Sequence, residues 1–107
     1  MTAIWANFSQ KTNTYDYSSF AVTNATTDKD VKTDISTAFD NQETYSLVEI
    51  TTDQTISVKF NSTSNPAITI TSTESPYVRD DLIIEDIFIS NASGSTANIK
   101  IYGNFTN

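Results

Sequence analysis

The chain has 107 residues, enough for one ordinary domain with its own core and no linker to a second. Thirteen acidic residues against six basic ones leave a net charge of −7. Nucleic acid and anionic membranes are therefore poor partners, because neutralising phosphate takes clustered Lys or Arg. Without cysteine or histidine there are no disulfides, no thiolate metal sites and none of the commonest nucleophile–base pairs.

No run approaches the ~18 apolar residues of a membrane-spanning helix. The opening Met-Thr-Ala-Ile-Trp lacks the basic start and apolar run of a secretory signal, so synthesis in the cytoplasm is expected. Gly94 and Gly103 are the two glycines, and Pro66 and Pro76 the two prolines. Turns must therefore lean on Asn, Asp, Ser and Thr, which bond to their own backbone.

Residues 1–17 are expected to form an N-terminal arm or first strand, ahead of a β-sandwich domain over 18–107. This stretch is aromatic and lightly charged. Trp5, Phe8, Tyr15 and Tyr17 are its candidate partner-binding residues, because aromatic side chains dominate interface hot spots. A sugar-stacking platform and simple closure of the domain's own core are the competing readings of the same four side chains.

Tyr15, Tyr17 and the Phe20–Val22 run predict one or two strands. Over 28–40, Val31, Ile35 and Phe39 recur every four residues, which predicts a short amphipathic helix starting near Thr27 or Asp28. Tyr45 to Thr51 predicts a strand with Tyr45, Leu47 and Glu49 on one face and Val48 and Ile50 on the other. From Thr55 to Phe60, Ile56, Val58 and Phe60 alternate with polar residues, and Ile68 and Ile70 do the same after a turn cluster. These two stretches read as a hairpin.

Leu82 to Ser90 is the most apolar run. It predicts a central strand with Ile83, Ile87 and Ile89 on one face, and a second hairpin through Asn91–Thr96 into Ala97–Tyr102. Short strands, turn-rich links and no βαβ rhythm give an all-β fold: a single antiparallel β-sandwich, jelly-roll-like, with one short helix near 28–40.

Catalysis would have to come from carboxylates. Asp80 with Asp81, and Glu85 with Asp86, are adjacent pairs whose side chains point to opposite faces of a strand, so neither forms a facing dyad. The chain is thus not expected to be an enzyme, and no cofactor is implied. Asp28, Asp30 and Asp34 share the first, third and seventh positions of a calcium loop. The loop's glycine at position six and glutamate at position twelve are missing, the latter being Phe39, so no metal site is assigned. Asn-X-Ser/Thr triplets begin at Asn7, Asn24, Asn61, Asn91 and Asn104, as chance provides in a chain so rich in these residues.

Two segments, T-I-S-V-K-F-N-S-T-S-N-P-A-I-T-I and D-L-I-I-E-D-I-F-I-S-N-A-S-G-S-T-A-N-I-K-I-Y, lie between Thr55 and Tyr102. Together they resemble the small virion accessory proteins of tailed bacteriophages, in which an "apolar–x–Asp–Ile–apolar–Ile–x–Asn–x–Ser–Gly" hairpin often closes a compact β-sandwich. Here Ile84 to Gly94 carry it. The resemblance covers a little under half of the chain and transfers no site residues. It implies a capsid decoration, head-fibre or tail-associated protein on the particle exterior. Such a protein would be a homo-oligomer, with a trimer favoured, whose partners are the major capsid protein or other virion proteins. A carbohydrate-binding or adhesin-type sandwich is the alternative.

Overall fold

The computed structural model describes residues 11–34 and 44–106. Trp5, Phe8, Ile35 and Phe39 lie outside them. The elements are β1 (Lys11–Val22), β2 (Thr26–Asp30), a single helical turn α1 (Val31–Asp34), β3 (Leu47–Thr52) and β4 (Ile56–Phe60). Then come β5 (Ile68–Ile70), β6 (Tyr77–Arg79), β7 (Ile87–Asn91) and β8 (Ala97–Thr106).

The pairing is nested. β1 pairs with β8, β2 with β7, β3 with β6 and β4 with β5, all antiparallel. The chain is in effect one long hairpin, which closes on itself where β3 also pairs with β8 and β4 with β7. Two four-stranded sheets result, ordered β1-β8-β3-β6 and β2-β7-β4-β5. That arrangement is a jelly-roll sandwich.

Period-two alternation sets which side chains meet between the sheets. Val48 and Ile50 of β3 and Ala97, Ile99 and Ile101 of β8 are buried, facing Ile56, Val58, Ile70, Ile87 and Ile89 of the second sheet. Removing any of these isoleucines down to Ala costs about 2–5 kcal/mol, since an interior this close-packed does not refill the space.

Three expectations are corrected. First, β7 and β8 are not a hairpin: they belong to different sheets and face one another across the core. The turn residues between them are real, but they serve a crossing. Asn91, fully buried, donates its Nδ2 protons to Val22 O (2.9 Å) and Ser95 O (2.8 Å) and accepts from Ser93 N (3.0 Å). Gly94, at φ 93°, donates its N–H to Asn24 Oδ1 (2.8 Å). The link is thereby tied to the β1–β2 turn, and β8 is directed to β1 and β3.

Second, the apolar run from Leu82 is not one strand. Ile84 is buried by a two-way backbone bridge to Tyr45 (2.8 Å each way), whereas Ile83 is exposed and β7 begins only at Ile87. Asn61, at φ 70°, shapes this bend by accepting from Glu85 N (2.6 Å) and donating to Ile83 O (2.9 Å). Tyr45 likewise leaves the face it was expected to share with Leu47 and is fully buried.

Third, helix starts at Val31 rather than at Thr27 or Asp28, because Thr26–Asp30 is held as a strand by β7. Asp30 then acts as its N-cap, accepting from Lys32 N (3.0 Å) and Thr33 N (3.3 Å).

One glycine is required by a close approach. A Cβ on Gly103 would lie 2.6 Å from Cδ1 and 2.7 Å from Cε1 of the Tyr45 ring. The aromatic ring takes the space where β8 lacks a side chain.

Candidate functional site

In β1 the inward phase falls on Asp16, Ser18 and Val22, all buried. Tyr15 and Tyr17 are thereby forced onto the outer face of the first sheet, where they are 53% and 54% exposed. Of the four candidate aromatic residues, these two are brought together on one surface; Trp5 and Phe8 fall outside the described residues.

The register extends this surface across the sheet. Tyr17 lies opposite Tyr102, Tyr102 opposite Glu49, and Glu49 opposite Val78, giving one row over all four strands. The Tyr15 and Tyr102 rings are stacked, with centroids 5.3 Å apart and planes at 29°. Beside them a shallow depression of about 220 Å³ is lined by Tyr17, Glu49, Thr51, Lys100 and Tyr102. Among the described residues, the Glu49 carboxylate, Thr51 hydroxyl and Lys100 ammonium make no hydrogen bond or ion pair. The face therefore combines aromatic area with donors and acceptors that the fold leaves unused.

Tyr102, Glu49 and Lys100 were not among the sequence candidates. A signal existed for Tyr102: Asn98, Lys100 and Tyr102 form the polar phase of β8, and an aromatic residue in a polar phase has its ring outside the core. Glu49 and Lys100 carried no such signal, because their meeting depends on register.

The carboxylates behave otherwise than as sequence neighbours. Asp81 pairs with Arg79, and Asp28 pairs with Lys59 (3.2 Å). Asp86 meets Asp30 within hydrogen-bonding reach. Burial, and then the hydrogen bond with Asp30, push the Asp86 carboxyl up to about 6. Burial also disfavours charge on Asp30, but hydrogen bonds from Asp86, Thr33 and Lys32 outweigh it and hold that carboxyl below its ordinary range. Both groups have structural tasks: Asp30 caps α1, and Asp86 accepts from Ile87 N (2.8 Å) at the start of β7. Asp34 accepts from Asp30 N (3.1 Å), so the three aspartates of the calcium-like spacing serve separate partners. Among the described residues, no three acidic side chains are grouped to hold a metal ion. Nor can every Asn-X-Ser/Thr triplet be read as an acceptor, since Asn91 is fully buried in the folded chain.

Comparison with protein-family models, with curated proteins and with solved structures finds no match to this chain.

Proposed function

We propose that this chain is a structural accessory subunit of a virion. It docks on a protein lattice, such as that of the major capsid protein, through the outer face of its first sheet. The observation that carries this reading is the pair of half-exposed tyrosines, Tyr15 and Tyr17, set beside Tyr102 on a four-stranded surface. Large, rigid aromatic side chains gain contact area at little cost in conformational entropy, which is why they anchor interfaces. The sequence resemblance between Thr55 and Tyr102 supplies the class of partner. The jelly-roll sandwich suits the role, as a rigid body whose working surface is a sheet face. A homo-oligomer, a trimer first, on the particle exterior would repeat the face several times, so modest single contacts add up to firm attachment. The reading assigns no catalytic step, cofactor, nucleic acid or membrane.

A carbohydrate-binding role is the second reading, and a specific observation favours it. The depression beside Tyr17 and Tyr102 holds Glu49, Thr51 and Lys100 with their hydrogen-bonding capacity unused, as a sugar's hydroxyls require.

Co-sedimentation with intact particles tests the proposal. The wild-type chain should pellet with them. The Tyr17→Ala, Tyr102→Ala double variant should bind on the order of tenfold or more weakly while keeping its melting temperature. Unchanged binding by the folded variant would remove this face from the role. Retention on immobilised glycans, lost in the same variant and without particle binding, would select the second reading.

A further inference from the structure

A separate groove lies on the flank of the sandwich, where the outer strands of the two sheets, β5 and β6, come together. It has a volume of about 360 Å³ and is lined by Phe60, Asn65, Pro66, Ile68, Arg79 and Leu82, among others. That volume falls within the range of small-ligand sites.

Arg79 is the unusual member. Its guanidinium lies 5.8 Å from the centre of the Phe60 ring, and the same ring stacks with Tyr77 at 6.5 Å. Nη1 donates to Tyr77 Oη (3.2 Å) and Nε to Asp81. Among the described residues, Nη2 has no partner and Nη1, with one bond made, keeps a second proton, so the terminal edge of a braced planar cation remains open. Such an edge matches a carboxylate, which can accept two parallel hydrogen bonds.

The surroundings narrow the ligand further. Pro66, Ile68 and Leu82 give an apolar wall for a side chain of modest size. Asn65 donates from Nδ2 to Phe60 O (2.7 Å), which leaves its Oδ1 as an acceptor. β5 is the last strand of its sheet, and among the described residues nothing pairs with its outer edge. An edge strand pairs readily with an extended chain. Asp81, paired with the Nε side of Arg79, and its chain neighbour Asp80 bring negative charge beside the site, which favours a ligand that carries a cation as well as its carboxylate.

From these features we infer that the groove binds the free C-terminus of a peptide chain that ends in an apolar residue. The terminal carboxylate would sit on Arg79, the last side chain on Pro66, Ile68 and Leu82, and the preceding backbone along β5. A basic residue upstream would meet Asp80 and Asp81. This site does not involve the tyrosine face and stands or falls independently of it.

The test is an NMR titration of the full chain with an N-acetylated hexapeptide that carries a lysine and ends in Val-Leu, compared with the same peptide closed as an amide. Amide signals of Ile68–Ile70 and the Arg79 Nε–H should shift with the acid. The amide should bind on the order of tenfold more weakly. Arg79→Gln should erase that difference while leaving the melting curve in place. Equal binding of acid and amide by the wild-type chain would overturn the inference, as would no shift at millimolar peptide. Hexanoate shifting the same signals as strongly as the peptide would overturn the chain terminus as ligand and leave a free-acid site instead.

Discussion

Substituting Gly103 with alanine isolates one close contact. The added methyl would sit at 2.6 and 2.7 Å from two ring carbons of Tyr45, well inside ordinary carbon–carbon contact. The ring has little room to yield. Tyr45 is fully buried, and its backbone is tied in both directions to Ile84, which is itself fully buried. Gly103 lies in register with Val48 of β3 and Asp16 of β1, so β8 is held from both sides as well. Overpacking of this kind costs about 1–3 kcal/mol, and the rigidity on both sides places Gly103→Ala near the upper end. A domain of this size loses roughly 4–8 °C in melting temperature per kcal/mol, so a drop of about 10–20 °C is expected. Thermal denaturation followed by circular dichroism measures it. Tyr45→Leu, made alone and together with Gly103→Ala, completes a double-mutant cycle. The methyl should be far better tolerated once the ring is gone, with a coupling of about 1–2 kcal/mol. A Gly103→Ala melt within about 2 °C of wild type, or two substitutions that simply add, would refute the argument.

Two further tests probe a half-buried carboxyl and a buried amide. Asp86, with its carboxyl raised to about 6 from the ordinary 3.8, binds its proton more tightly when folded. Its contribution to stability is thus complete below about pH 3.8 and is lost as the pH rises through about 6. Asp30 runs the opposite way, with stability present at higher pH and lost as the pH falls through its depressed value. Asp86→Asn should therefore remove a fall in the urea midpoint between pH 4 and 6 that wild type shows. An identical pH slope in the two proteins would contradict the raised Asp86 carboxyl. Asn91→Asp keeps the shape but replaces two donors with a carboxylate facing Val22 O and Ser95 O. It should cost about 3 kcal/mol or more at neutral pH, and less in acid, where the carboxyl can protonate. A neutral-pH melting temperature equal to wild type would show that Asn91 does not organise the crossing.

Alternation within short segments was enough to establish the all-β class, the inward faces of β4 and β5, and their hairpin, because each depends on neighbours a few residues apart. The outward placement of Tyr17 was not legible in this way: local alternation with Asp16 and Ser18 would turn the tyrosines inward, and it is the two polar residues that the packed sandwich buries. What alternation could not determine was which sheet a strand joins. Ile87 and Ile89 demand a buried face, and so do Ile99 and Ile101, yet that demand is met equally by lying side by side or by stacking across a core. The choice was made by contacts far apart in sequence: Asn91 with Val22, Gly94 with Asn24, and β8 with β1. Both candidate sites depend on the same long-range choice. Tyr102 reaches Tyr17 and Glu49 only through the nested pairing, and Arg79 finds Phe60 and Ile68 only where the outer strands of two sheets meet. Burial along a strand is a local property of the chain, whereas the partner across a sheet or a core is set by the free energy of the whole packed domain.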